Sequence, residues 1–299
     1  MKINFLIRND DFDSKMLDSI LSDHKVVTDF DNIGDEDIII IDLSLLEEFR
    51  DHFSLFKQKG KRLVFVSTSN DYNIKYAFDI LSKSAPPYHI VGLNTETCLD
   101  KVAELVSCIA RNEFLSLGDM MGAYSDGIEV KIQDSSKISD TIKDVLGKME
   151  FENCFSQIKD SLSQLINELL YNALFNAPTD GEGDQQFRDQ DRKEHVSLDE
   201  GKEATLKIYN TVDKIFTAVI DYYGSITKEV IDAHISKNEV SDKSGGAGIG
   251  LSLIYNNSHE LIFVVKPGEQ TEVISVINKY KRFKQNMKHV RSFHFFIKE

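Results

Sequence analysis

Cysteine is scarce, with three in 299 residues. Cys98, Cys108 and Cys154 are scattered and form no C-x-x-C pair. That excludes a disulfide framework and a cysteine-built metal site, and it fits free thiols in a reducing compartment. Long apolar runs are missing too, so no segment is a candidate for crossing a bilayer. The opening MKINFLIRNDD starts as a strand and turns acidic, with neither an apolar leader nor a small-residue cleavage site, so a cytoplasmic protein is expected. Positive charge is in deficit: 35 Lys and Arg against 49 Asp and Glu give a net charge of −14. Phosphate neutralisation needs the opposite balance, so no nucleic-acid partner is expected, and no membrane partner. The local exception is KYKRFKQNMKHVRSFHFF, basic and aromatic, read either as a solvated amphipathic tail or as a docking segment for an acidic partner. No internal repeat is present.

What remains is an ordinary globular composition, 41% hydrophobic and 28% charged, long enough for two domains. Up to about residue 115, strand and helix signals alternate: KINFLIR, DSKMLDSILSD, DIIIIDLS, RLVFVSTS, IKYAFDILSK, YHIVGLN, then TCLDKVAELVSCIARNEFL. The runs DIIIIDLS and RLVFVSTS are continuous rather than alternating, which marks strands buried on both faces of a parallel sheet. From about residue 120 to 299 the pattern is α+β. A strand GIEVKIQDS is followed by two helices, SKISDTIKDVLGKM and FSQIKDSLSQLINELLYNALFNA. The hairpin ATLKIYN/IFTAVIDYY, the helices ITKEVIDAHISK and LSLIYNNS, and the strands ELIFVVKP and TEVISVIN complete it. Residues 178–204 are polar and aperiodic, and read as a long loop or partly disordered insertion.

Two features carry chemistry. Glycines cluster in GGAGIGL at the mouth of a helix; they serve either a turn with positive φ or a phosphate, which bare backbone N–H groups and a helix N-terminus would surround. In the helix ending at Ala177, Leu162, Leu165, Ile166, Leu169, Leu170, Ala173, Leu174 and Ala177 form one apolar stripe. Gln164, Glu168, Asn172 and Asn176 run along its border. This line is either an exposed helix edge or the rim of a cleft, where an asparagine oxygen can ligate a hard cation and a carboxylate can act as a base.

Together these segments resemble the GHKL (Bergerat-fold) ATPases, a family that includes gyrase, histidine kinases, MutL and the anti-sigma-factor serine kinases. ELLYNALFNA is similar to the N box, AVIDYYGSI to the G1 box, GGAGIGL to the G2 box, and KPGEQTEVISVI to the final strand pair. The resemblance implies a C-terminal α/β sandwich that binds ATP and Mg²⁺. It assigns Asn172 to the metal, Asn176 to cofactor binding and Glu168 to a general base. Asp221 and Thr271 fall to the adenine amino group, with Tyr223 and Gly224 in the same turn. Gly246, Gly248 and Gly250 fall to the phosphate-side loop, after a lid at about 237–245, and Lys243 and Leu251 are further nucleotide-binding residues. The G1 pattern departs from Asp-x-Gly-x-Gly, because Tyr223 and Ser225 stand where glycines are expected. The first half resembles a receiver domain, a flavodoxin-like parallel sheet, with Asp42 in the phosphoacceptor position and Asp10 in the acidic turn. Asn94 stands where that family's lysine is expected, which implies a pseudo-receiver; the alternative is an ordinary aspartate closing a buried strand.

Residues 111–165 contain no histidine, so autophosphorylation of the usual histidine-kinase kind is not expected. Two functions follow from the resemblances. One is a bacterial cytosolic ATP/Mg-dependent regulator, a protein kinase of the anti-sigma type or an ATPase. The other is a nucleotide-free scaffold of pseudo-kinase and pseudo-receiver. Either implies a signalling partner (a sigma factor, an anti-sigma antagonist or a two-component protein), and a homodimer is compatible with both.

Overall fold

The computed structural model describes residues 2–6, 25–27, 38–81, 88–93, 98–121, 127–180, 184–187, 190, 194–236 and 250–298. The expected helix DSKMLDSILSD, Asp10, Asn94 and the 237–249 stretch lie outside them. The chain divides into two compact units, Met1–Phe114 with His289–His294, and Leu115–Lys288 with Phe295–Glu299.

In the first unit, β1 (Lys2–Leu6), β2 (Lys25–Val27), β3 (Ile38–Asp42), β4 (Arg62–Ser67) and β5 (His89–Gly92) are ordered β2-β1-β3-β4-β5, every neighbouring pair parallel. Ile38, Ile39, Ile40 and Ile41 are all buried, the two-faced burial that the unbroken isoleucine run predicts. Helix α1 (Ile74–Leu81) buries Ile74, Ala77, Phe78 and Leu81 along one stripe. Its start is capped by Asn73, whose Oδ1 accepts from Tyr76 N at 3.1 Å. Helix α2 (Cys98–Arg111) buries Val102, Leu105, Val106 and Ile109 in the same spacing.

Residues 43–58 form successive short helical turns that bury Leu43, Leu46, Phe49, Phe53 and Phe56. The basic tail departs from its solvated reading in its last residues. It does not stay solvated: Ser292–Ile297 is a strand, β11, with Phe293, Phe295 and Phe296 buried. Phe293 and His294 pair antiparallel with Ile90 and His89 of β5. Gly92 donates its N–H to Ser292 Oγ at 3.0 Å, and any Cβ there would stand 2.2 Å from Val290 O. Alternating apolar residues in SFHFFI outweigh the tail's charge and cover an otherwise open sheet edge.

In the second unit, β6 (Gly127–Ile132), β7 (Ala204–Asn210), β8 (Lys214–Asp221), β9 (Glu260–Lys266) and β10 (Gln270–Asn278) are antiparallel in the order β9-β10-β8-β7-β6. Its helices are α3 (Leu117–Met121), α4 (Ile138–Gly147), α5 (Ile158–Tyr171), α6 (Lys228–Ser236), α7 (Gly250–Asn257) and α8 (Phe283–Lys288). Helix α5 packs against α4, α7 and β8 through Leu162, Leu165, Ile166, Leu169 and Leu170, the stripe read from the sequence. The 178–204 insertion is not all unanchored loop. Val196 and Leu198 are buried, Ser135 N donates to Val196 O, and Leu198 N donates to Gln133 O, both at 2.9 Å. Two apolar residues one apart are too short a pattern to read as an element.

Candidate functional site

Helix α5 does not end as an α-helix. Residues Asn172–Asn176 form a π-turn, in which Ala177 N donates to Asn172 O at 2.9 Å. Such turns are rare and favour functional positions. Asn176 Nδ2 donates to Asn172 Oδ1 at 2.8 Å, which fixes the Asn172 side chain. An amide oxygen has two lone pairs, so Asn172 Oδ1 keeps one for a further partner. Glu168, Asn172 and Asn176 are half-buried along one edge, while Gln164 is exposed. The predicted border line thus survives as the limit between core and solvent.

Strand β8 ends at Asp221, which is buried. Its Oδ1 accepts from Tyr223 N at 3.0 Å and Gly224 N at 3.2 Å, closing a tight turn. Burial pushes the Asp221 carboxyl up to about 6, against the opposing pull of those two amides and of Thr271. Thr271 faces Asp221 directly across the β8–β10 ladder and is 1% exposed. Its hydroxyl is near enough to lower the Asp221 pKa, and among the described residues Oγ1 makes no hydrogen bond of ordinary geometry.

Gly224 has φ +60°, and a Cβ there would meet Lys266 O at 2.1 Å in the β9–β10 turn. Glycine is therefore required at 224, where the usual pattern is displaced by one residue. Ser225 Oγ donates to Ala177 O at 2.7 Å and joins this turn to the end of α5. Tyr223 is half-buried beneath Lys202, whose Nζ lies 5.2 Å from the ring centroid, and the same ammonium donates to Tyr222 O. Burial, then Asp199 and Asp221, raise the Tyr223 pKa. Gly250 opens α7, and it and Leu251 are buried where α7 packs on α5. Lys243, Gly246 and Gly248 lie outside the described residues.

The Ser225–Ala177 hydrogen bond and the packing of β8 on the Asn172–Asn176 turn join the segment after Asp221 to the end of α5. Sequence reasoning missed Lys202 and the π-turn. Lys202 lies near the end of the aperiodic insertion, and no local pattern marks it.

In the first unit, Asp42 closes β3 and is 2% exposed. Its Oδ1 accepts from Ser44 N at 2.8 Å, so the carboxylate caps the helical turn after the strand. Among the described residues no group of three or more His, Cys, Asp and Glu could hold a metal ion, and no helix is long and apolar enough to cross a membrane.

No protein-family model matches the chain, and no curated protein sequence matches it. Among solved structures, NtrX from Brucella abortus in complex with ADP aligns with 60% of this chain at 14% identity and a TM-score of 0.25. The alignment spans 43% of NtrX, less than half its length, and so slight a likeness carries no functional argument.

Proposed function

We propose that the second unit is a GHKL-type domain that binds ATP with Mg²⁺, and that the chain is a bacterial cytoplasmic signalling regulator which transfers a phosphoryl group to a protein hydroxyl. The supporting observation is the Asp221–Thr271 pair. A buried carboxylate with one oxygen engaged by the turn, facing a buried threonine hydroxyl across the ladder, suits a purine amino group and its neighbouring ring nitrogen. Asn172 is the residue that would hold the metal, which supplies charge neutralisation for phosphoryl transfer. Glu168, one turn earlier on the same edge, would orient and deprotonate an incoming hydroxyl.

The strand order of the first unit is that of flavodoxin-like folds, which supports the receiver-like reading. Asp42 is buried and committed to its cap, so we assign it a structural role and the unit a pseudo-receiver one. The partner is a signalling protein: a sigma factor, an anti-sigma antagonist or a two-component protein.

Calorimetric titration with ATP and Mg²⁺ tests the site. Wild-type binding that is abolished in Asp221→Ala, and that loses its Mg²⁺ dependence in Asn172→Ala, supports the reading. Absence of binding at millimolar ATP overturns it and leaves a scaffold that acts by protein contacts alone.

A further inference from the structure

The segment after β10 is basic and carries two half-exposed apolar side chains. Phe283 and Met287, four residues apart on one side of α8, are 51% and 50% exposed. Phe283 is held by an edge contact with the buried Phe155, ring centroids 5.4 Å apart, so half the ring is fixed and half is presented to solvent. Val212, at the tip of the β7–β8 hairpin, is 87% exposed. Lys279 ties that tip to the chain entering α8, its N–H donating to Asp213 O at 2.7 Å and its Nζ to Thr211 O at 2.5 Å. Lys281, Lys284 and Lys288 are exposed around the apolar pair, and none of them makes an ion pair among the described residues. No Asp or Glu occurs from Lys279 to Lys298, within a chain whose net charge is −14.

We infer that the α8 face docks an acidic segment of a partner protein carrying apolar side chains that pack on Phe283 and Met287. Charge complementarity selects the occupant. A two-fold dimer through this face would oppose lysines to lysines. A duplex or a single strand meets repulsion from the rest of the chain, and its backbone offers nothing to the apolar pair. An anionic membrane calls for a longer apolar helix face than this six-residue helix offers.

The test is fluorescence anisotropy of the full chain with a labelled synthetic peptide that spaces glutamates around a Phe-x-x-x-Leu pair. The expected result is saturable binding that weakens by about tenfold in Phe283→Ser/Met287→Ser and in Lys284→Glu/Lys288→Glu. The charge-reversed variant should recover affinity for a peptide with lysines in place of glutamates. Met287→Ser alone serves where loss of the Phe155 contact perturbs folding, and the thermal transition checks each variant. Equal affinity for a glutamate-only peptide, unchanged binding in the variants, or a preference for phosphatidylserine vesicles or an oligonucleotide overturns the inference.

Discussion

Thr271 stands directly across the β8–β10 ladder from Asp221, and the two polar side chains share one buried face of the sheet. Burial raises the Asp221 pKa from 3.8 to about 6, so the folded protein holds that proton longer than the unfolded chain does. Stability from this group is therefore full below about pH 4 and is lost as pH rises through about 6. Two pH units correspond to about 3 kcal/mol as an upper scale. Asp221→Asn keeps an acceptor for Tyr223 N and Gly224 N and removes the buried charge. It should raise the melting temperature at pH 7 and flatten the slope between pH 4 and 6, while abolishing ATP binding. In the wild type, ATP affinity should fall below pH 6 as the carboxylate loses its acceptor. Thermal melts across that range, with calorimetry at pH 5 and 7, check both.

Gly224 and Gly268 both have positive φ but unequal surroundings. A Cβ at 224 meets backbone at 2.1 Å, whereas nothing lies within 4 Å of one at 268. Gly224→Ala should therefore cost about 3 kcal/mol or more, from clash added to strain, and Gly268→Ala about 1 kcal/mol from strain alone. Urea titration of both variants gives the comparison. Equal costs would mean that the turn after Asp221 relaxes freely and is no rigid part of the site.

Both sheets were legible in the sequence wherever hydrophobic periodicity was strong, as in Ile38–Ile41 and the Leu162–Leu174 stripe. Glu168 and Asn172 lie on a helix edge and Asp221 and Thr271 toward strand ends, the elements that their patterns implied, whereas Lys243, Gly246 and Gly248 fall outside the described residues. Three features escaped for physical reasons. The π-turn at Asn172–Asn176 changes the hydrogen-bond register without changing composition. Val196 and Leu198 are buried by partners far off in sequence, at Gln133 and Ser135. The final strand reads as a basic tail because the charges before it mask the alternation in SFHFFI, and its burial depends on a strand about two hundred residues earlier.

Lys228 is buried in α6 and paired with the half-buried Asp232 one turn on. Burial depresses the Lys228 pKa below its ordinary 10.5, with Asp232 opposing the shift. The unfolded chain thus binds more protons between the depressed value and 10.5, and stability from this group rises as pH climbs through that window. Lys228→Met takes the ammonium from the partly buried Asp232 carboxylate and should cost about 2 kcal/mol. Lys228→Met/Asp232→Leu should recover most of it. A double-mutant cycle by urea denaturation at pH 7 gives the coupling, and additive losses would show that the pair contributes nothing.

Glu272 follows Thr271 on β10 and so points to the opposite face of the sheet. It is 6% exposed and accepts from Leu117 N of α3 at 3.4 Å. Burial raises its pKa above the ordinary 4.5, against the pull of that N–H and of Lys298 and Lys207. The folded state again retains the proton longer, so stability falls as pH rises through the raised value. Glu272→Gln keeps the acceptor for Leu117 N and removes the charge. It should raise the melting temperature by about a few degrees at neutral pH, and the gain should vanish below the ordinary carboxylate range. Unlike Asp221→Asn, it should leave ATP affinity unchanged, because its face is not the one that carries Asp221 and Thr271. Melts from pH 4 to 8 and a single ATP titration separate the two carboxylates. Lost affinity in Glu272→Gln would place the nucleotide on the wrong side of the sheet for the Asp221 site.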